Sequence, residues 1–284
     1  MRAVVRKARP SDRSELMKFI RGIWGGHDYI PQVWDDWLGD RKGSMFVVEV
    51  GGVPVGMNRF RILEDGSAWF EGVRVHPKYR GQGLASLLGE NSMRLARAKG
   101  VKTFRLTSGS RNHTAHRQIA RMKFKEASRI SVYEAPKRRL EGDPTVRRAE
   151  GGDEKKLVRL IRGTKEFKMG SGVFWDGFAA ASLTPGVIGG LVREGAVWHS
   201  GKGVAVTRVG GEGGEQWRQV CFAGGPLADS SRVVRHALSL EGKVRPRRRL
   251  VYLAQGSPII GDLRRRAFTR MGSLILFERS AAKG

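Results

Sequence analysis

Apolar and polar residues follow strand-like or helix-like periods through most of the first 135 residues. Alternating apolar positions predict strands, and apolar positions that recur every three or four residues predict helices. The elements predicted in this way are strand 4–8, helices 14–23 and 33–38, strands 45–50, 53–60 and 68–75, helix 84–99, strand 102–107, helix 113–122 and strand 130–134. This order predicts an α+β (α/β) domain with a mixed, mostly antiparallel twisted sheet flanked by helices.

The second half of the chain repeats the beginning of the first half. A shift of 141 residues aligns eight identical residues within an 18-residue window, running from Val5 to Gly22 in the first copy and from Val146 to Gly163 in the second. A charged, turn-rich stretch at 137–145 separates the copies. We therefore predict two tandem domains of the same class, 1–136 and 146–284, joined by a linker at 137–145.

A glycine loop connects a predicted strand to a predicted helix at 71–85. Val73 and Val75 alternate as in a strand, Pro77 ends the strand, and Gly81 and Gly83 precede the helix. Glycine lets the backbone approach a ligand closely, and the first turn of a helix carries unpaired N–H groups and the positive end of the helix dipole. We expect the loop to hold a diphosphate, although glycines alone leave a simple tight turn as an alternative.

The full string Arg80-Gly81-Gln82-Gly83-Leu84-Ala85 resembles the phosphate loop of the GNAT acetyltransferase superfamily, and so does the Val-x-Val-His-Pro-x-Tyr leader before it. The resemblance implies two GNAT-like domains and acetyl-CoA (coenzyme A) as cofactor, with no metal. It further implies that the loop grips the pyrophosphate while the preceding strand pairs with the pantetheine arm. The cofactor-binding residues implied are Val73, Arg74, Val75, Arg80, Gly81, Gln82, Gly83, Leu84, Ala85, Ser86 and Asn112.

Glu71 is the candidate catalytic base, because an amine must be unprotonated to attack a thioester. It lies on the strand that the resemblance places beside the thioester. Burial among Trp69, Phe70 and Val73 is expected to raise the pKa of its carboxyl group. A structural carboxylate paired with Arg74 or a nearby arginine is the alternative.

The predicted helix after residue 112 resembles a second GNAT motif but departs from it. Asn112, Ala115 and Phe124 fit the pattern, whereas Ile119 stands where many members carry the tyrosine that protonates the leaving thiolate. His116 shares a helix face with Ile119 and is the second catalytic candidate. A surface or phosphate-facing histidine is the alternative.

The segment Gly-Gly-His-Asp-Tyr-Ile-Pro at 25–31 resembles the branch of the superfamily that includes histidine N-acetyltransferases. In GNAT proteins this segment borders the acceptor site, so Asp28 and Tyr29 are expected to contact the substrate. The implied reaction is direct acetyl transfer to a primary amine of an amino-acid-like small molecule or of a protein.

The second copy lacks the phosphate-loop sequence. Its corresponding stretch, 221–232, has no Arg-x-x-Gly-x-Ala string, and Asp229 would bring a negative charge toward a phosphate. We therefore predict a degenerate second domain that binds no acetyl-CoA. Cys221 is the single cysteine of the chain, so it cannot form an internal disulfide, and its apolar neighbours predict that it packs in the core.

The chain is strongly basic, with 53 Lys and Arg against 27 Asp and Glu and a formal net charge of +26. This charge favours polyanions and leaves open a rival function, a basic nucleic-acid- or protein-binding factor that keeps an acetyl-CoA pocket for sensing or structure. The cations are spread along the chain and match no nucleic-acid-binding signature, although the run 245–249 predicts a solvated basic loop that could touch RNA. No signal region or membrane-spanning run is present in the sequence, which predicts a cytoplasmic protein; its oligomeric state is left open.

Overall fold

The computed structural model describes residues 2–212, 215–240 and 246–281. Its contacts divide the chain into two compact units. Unit 1 comprises Met1–Leu106, His113–Lys125 and Glu278–Gly284, and unit 2 comprises Thr107–Asn112 and Glu126–Phe277. These units differ from the linear domains 1–136 and 146–284, because residues 126–136 belong to unit 2 and the C-terminal segment belongs to unit 1. The compact units and the sequence repeats are therefore not the same segments.

Among its described residues, unit 1 contains a mixed sheet, four α-helices and two 3-10 helices, and α1 and α2 precede the second strand. Its elements are β1 Ala3–Lys7, α1 Asp12–Ile20, a 3-10 helix Ile23–Gly26, α2 Ile30–Gly39, β2 Gly43–Val50, β3 Val53–Ile62, β4 Ala68–Val75, a 3-10 helix Pro77–Tyr79, α3 Leu84–Ala98, the start of β5 Thr103–Gly109, and α4 His113–Arg121. The strands lie in the order β1-β2-β3-β4-β5. The pairs from β1 to β4 are antiparallel, whereas β4 and β5 are parallel.

The core of unit 1 holds α1 and α2 against the sheet. Leu16 and Ile20 lie one turn apart on α1, and both are fully buried together with Trp34 of α2. They pack with Met45 of β2 and Met57 of β3 in one apolar cluster. Each such side chain contributes about 1.5–3 kcal/mol through removal from water. This packing fixes the α1–α2 segment, which carries the predicted acceptor residues.

Strand β4 is irregular at the position where it leaves its parallel neighbour. Its register with β5 covers Ala68–Phe104 and Trp69–Arg105 only. Further along β4, the register with β3 shifts and Gly72 adopts a φ of +70°, which together describe a β-bulge. A Cβ at Gly72 would lie 2.5 Å from the ring of Trp37, so the contact also requires glycine.

Unit 2 contains a mixed sheet, a separate two-stranded hairpin and five helices among its described residues. Its elements are β6 Lys125–Glu134, β7 Arg147–Arg148, α5 Glu154–Gly163, α6 Lys165–Met169, β8 Val173–Asp176, β9 Ala179–Ser182, α7 Pro185–Arg193, β10 Val197–Ser200, β11 Gly203–Glu212, β12 Glu215–Gly224, α8 Leu227–Ser239, β13 Arg248–Ala254, α9 Ile259–Arg265 and β14 Thr269–Ser280. The large sheet has the order β14-β6-β13-β12-β11-β10-β7, and β8 pairs with β9. The mixed, mostly antiparallel fold class predicted from the sequence is confirmed.

One expectation about this region is corrected. The strand predicted at 130–134 is confirmed as the second half of β6, which pairs antiparallel with β13 of unit 2. The basic run 245–249 is not a solvated loop at Arg248 and Arg249, which lie in β13. Arg248 pairs with Glu134, and Arg249 donates to the carbonyl oxygens of Pro136 and Arg138. Arg245 lies outside the described residues.

Cys221 is buried in β12, as predicted for a packing residue. None of the helices in the described part of the chain is long and apolar enough to cross a membrane.

Candidate active site

The glycine loop of unit 1 leaves backbone donors without acceptors. Gly81 and Gly83 have φ values of +79° and +77°, and no heavy atom lies within 4 Å of a Cβ built on either residue. In the described ranges, the backbone N–H groups of Gly81, Gln82 and Gly83 make no hydrogen bond. Helix α3 begins immediately afterwards, and its first turn closes when the Leu87 N–H donates to the Gly83 oxygen at 3.0 Å. Open space, unpaired N–H groups and a helix start together fit a diphosphate.

The surroundings of the loop fit the rest of coenzyme A. Arg80 is exposed beside the loop, where its Nε donates to the Val75 oxygen at 3.2 Å. Val73 exposes 41% of its surface although it lies on a central strand, so an apolar arm along β4 would cover it. The Ser86 hydroxyl is hydrogen-bonded to Gln118 of α4, which ties the start of α3 to that helix.

The carboxylate of Asp28 is fully buried and ion-paired with Arg74. Arg74 Nε lies 2.6 Å from one carboxylate oxygen and Nη2 lies 3.1 Å from the other, while the Ile30 N–H donates at 3.0 Å. This corrects the expectation that Asp28 contacts the substrate, because its side chain has 0% exposure. The Arg74 side chain is likewise committed to Asp28, so only its backbone can serve the cofactor. The pair anchors the segment before α2 to β4.

Aromatic rings flank the arginines on this side of unit 1. The guanidinium of Arg74 lies 4.5 Å from the ring centroid of Trp24 and 5.5 Å from that of Tyr29, and Arg59 lies 4.7 Å from Trp37. Tyr29 is partly exposed and remains a candidate for acceptor contact. Trp24 is 59% exposed and has a φ of +51°, a left-handed conformation that is costly for a residue with a side chain. Trp24 is not predicted from the sequence as a site residue, because its only local signal is the glycine pair that follows it.

Glu71 is ion-paired on β4 and is not surrounded by apolar groups alone. Its Oε1 lies 2.7 Å from Arg59 Nη1 and 3.3 Å from Arg61 Nε, and its side chain is 16% exposed. Arg59 also pairs with Asp40. Arg59 and Arg61 are therefore its arginine partners, since the Arg74 side chain is paired with Asp28. Two guanidinium groups beside the carboxylate replace the purely apolar surroundings expected from the sequence. A partly exposed carboxylate can accept a proton through water.

The second motif is divided between the compact units. His116 is half-buried on α4 of unit 1, with its ring centroid 5.8 Å from that of His113, whereas Asn112 belongs to unit 2. Ile119 is buried, so the position of the missing tyrosine faces the core and offers no hydroxyl group. Within the described ranges, no three His, Cys, Asp or Glu side chains are grouped as a metal site requires.

A buried carboxylate accepts from the corresponding loop of unit 2. β12 leads into α8 as β4 leads into α3. The Gly225 N–H donates to Oε2 of the buried Glu166 at 3.2 Å, which supplies an acceptor that a phosphate would otherwise provide. Asp229 of α8 accepts instead from the Lys202 N–H, at 3.0 Å, in the turn between β10 and β11.

Comparisons with known proteins agree with this geometry. Residues 13–124 match the family described as Acetyltransferase (GNAT) family. This segment is a GNAT domain. The resemblance seen in the sequence is confirmed, and it extends to two relatives named histidine N-acetyltransferase. The relative from Xenopus tropicalis is 29% identical over 114 residues, 38% of this chain and 35% of the relative. The relative from Oreochromis niloticus is 31% identical over 103 residues, 35% of this chain and 31% of the relative.

The matched stretch spans about a third of the length of these curated relatives. A solved structure resembles the chain over nearly its whole length. It is a GCN5-related N-acetyltransferase from Sphaerobacter thermophilus, with a TM-score of 0.63, 13% identity, and coverage of 99% of this chain and 96% of that chain. At this identity the likeness establishes the fold alone.

Proposed function

We propose that this GNAT protein is an N-acetyltransferase that passes acetyl directly from acetyl-CoA to a primary amine. The acceptor is an amino-acid-like small molecule or a protein amine. The observation that carries the proposal is the glycine loop at 80–85, where three consecutive backbone N–H groups lack acceptors at the start of α3. Unpaired donors at a helix start are costly unless an anion or water satisfies them.

Each remaining site residue has a role in this reaction. Acetyl-CoA bound at the loop supplies an acetyl thioester. Glu71 takes, through water, the proton that the amine releases as the new C–N bond forms. Backbone N–H groups of Val73 to Val75 donate to the thioester carbonyl oxygen, and His116 returns a proton to the sulfur as the C–S bond breaks. Tyr29 borders the acceptor, while Asp28 and Arg74 hold the segment that carries it.

The choice of acceptor rests on two observations. The segment 25–31 resembles the histidine N-acetyltransferase branch, and relatives of that name match 35% to 38% of this chain. Glu71 also offers a carboxylate to an ammonium group, next to Arg61, which is partly exposed. A free amino acid therefore comes first, with histidine as the first member tested.

The test is release of free coenzyme A thiol from acetyl-CoA across a panel of amines. The panel contains amino acids, polyamines, aminoglycosides and peptides with free N-termini. We expect thiol release to equal acetylated product for at least one amino acid. Binding of acetyl-CoA without amine-dependent thiol release across the panel would favour the rival binding factor.

A further inference from the structure

A cationic cavity lies in unit 1 near the far end of α3 from the glycine loop. It has a volume of about 280 Å³ and lies among the second half of α3, the end of α4 and the last residues of β14, which belong to unit 1. Its charged lining consists of four cations and one carboxylate, namely Arg97, Arg121, Lys123, Arg279 and Glu90. Arg97 lies roughly 20 Å along the helix axis from Leu84, because an α-helix rises 1.5 Å per residue. The cavity is therefore separate from the phosphate loop.

The cations of this cavity are not neutralised by nearby acids. Among the described residues, the side chains of Arg121 and Lys123 make no hydrogen bond or ion pair. Arg97 donates to the Ala281 carbonyl oxygen at 3.1 Å and lies 5.1 Å from the ring centroid of Phe104, and neither contact removes its charge. Four cations against one carboxylate leave three positive charges around a small volume.

The positive charge around this cavity disfavours the charged form of Arg279. Its Nη1 donates to the Met122 carbonyl oxygen at 2.7 Å and lies 3.5 Å from the sulfur of Met93. Burial lowers the pKa of Arg279, and the positive charge of Arg97 lowers it further, while Glu90 acts in the opposite direction. An anion in the cavity would relieve both effects.

The negative end of the α4 dipole can balance only part of the positive charge around the cavity. Cations commonly lie at helix C-termini, where the dipole amounts to roughly half a negative charge. That half charge does not balance the excess of three cations. The methionine side chains of Met93 and Met122 also form part of the wall, so the cations surround a concave space and not an open face.

We propose that this cavity binds a small phosphate-type anion, with inorganic phosphate or diphosphate as the chemical class, at a site separate from that of acetyl-CoA. Arginine and lysine side chains are the usual partners of phosphate oxygens. A nucleic-acid backbone would need an extended groove with stacking aromatic residues, whereas this cavity has a volume of about 280 Å³ and no aromatic residue among its described lining residues. Occupancy would tie α3, α4 and β14 together and stabilise unit 1.

The test uses full-length protein carrying Gly83→Asp, whose carboxylate closes the phosphate loop to anions. Sodium diphosphate is titrated at low ionic strength by calorimetry into this background. The Gly83→Asp protein is compared with two further variants that also carry Gly83→Asp. The cavity pair adds Arg121→Glu and Lys123→Glu, and the control pair adds Lys155→Glu and Lys156→Glu, an equal charge change on the exposed face of α5. We expect one diphosphate per chain, at least tenfold weaker binding in the cavity pair, and less than a twofold change in the control pair.

Thermal unfolding provides the second readout, because it also shows that each variant is folded. Diphosphate should raise the Tm of the background and of the control pair but not that of the cavity pair. Absence of saturable binding in the background would overturn the proposal, and so would equal weakening in both pairs. Binding of a single-stranded oligonucleotide through Arg121 and Lys123 that diphosphate fails to displace would overturn it in favour of a nucleic-acid surface.

Discussion

The two loop–helix junctions of this chain have the same topology but opposite chemistry. In unit 1, β4 leads through left-handed glycines into α3, and the loop N–H groups have no acceptor in the described structure. In unit 2, β12 leads into α8, and Glu166 accepts the Gly225 N–H. Gly225 is also packed, since a Cβ there would lie 2.2 Å from the Lys202 oxygen, whereas Gly83 is open. We therefore expect a phosphate site only at the first junction, where the loop donors have no acceptor in the described structure.

The strands before these junctions differ as well. β4 pairs with β5 at two positions, whereas β12 pairs with β13 at four, from Trp217–Arg248 to Val220–Val251. Beyond that pairing, residues 221–224 carry no acidic residue, while the corresponding end of β4 carries Glu71. In the described part of unit 2, the end of β12 next to the loop therefore offers no carboxylate that could act as a base.

The largest effect, a change in acetyl-CoA affinity, is expected from substitutions at the two loop–helix junctions. Gly83→Asp adds bulk and negative charge where phosphate is expected, so acetyl-CoA affinity should fall by about a hundredfold or more. The matched change Leu227→Asp places a carboxylate at the exposed start of α8 and should leave the affinity unchanged. Calorimetry on both variants measures affinity and stoichiometry, which should be one per chain. Unchanged affinity in Gly83→Asp, or two cofactors per chain, would refute the assigned difference.

A second effect of similar size is expected at Glu71. Glu71→Gln keeps the volume but cannot accept a proton, so kcat should fall by roughly a hundredfold while acetyl-CoA affinity changes little. The residual rate should rise with pH, because more of the acceptor amine is then unprotonated. Asp40→Asn is the control, since it removes the other carboxylate partner of Arg59 and leaves the candidate base intact.

Measuring kcat and Tm on the same preparations separates the two roles of Glu71. If Glu71 is only the counter-charge of Arg59, both variants should lower Tm and neither should greatly reduce turnover in folded protein. Full activity with reduced stability in Glu71→Gln would remove Glu71 from the mechanism.

The smallest expected effect is a pH dependence of stability that comes from a histidine of unit 2. Burial lowers the pKa of His236 from its ordinary value of 6.5, and its Nδ1 accepts the Asp143 N–H at 3.0 Å. As pH falls, His236 therefore binds a proton in the unfolded chain before it does so in the folded protein. Its contribution to the free energy of unfolding is constant above about pH 6.5 and decreases below it until the folded form is also protonated. Tm measured at pH 7.5 and 5.5 should differ by a few degrees more in the wild type than in His236→Gln.

The exposed His27 supplies the control for this measurement. His27→Gln should leave the pH dependence as it is in the wild type. The same loss of pH dependence in both variants would show that the effect does not come from the half-buried ring of His236.

Local patterns predicted the elements of this protein well. The apolar periods of Leu16 and Ile20 placed α1, and the string 80–85 placed the loop and the start of α3, because backbone conformation there depends on neighbouring residues. The family resemblance rests on the same local strings. The partners of Asp28 and Glu71 could not be predicted in this way, since the ion pair of Asp28 joins residues 46 positions apart.

The sequence by itself determined the fold class, the family that residues 13–124 match and the position of the glycine loop, because each depends on short stretches of neighbouring residues. Only the tertiary structure decided that Asp28 is buried, that Glu71 faces Arg59, and that Glu166 accepts from the loop of unit 2. It also brought the cations of the cavity together from α3, α4 and β14. Ion pairs and hydrogen bonds form only between groups that are close in space. Residues far apart in the chain come close only when the sheet and helices pack.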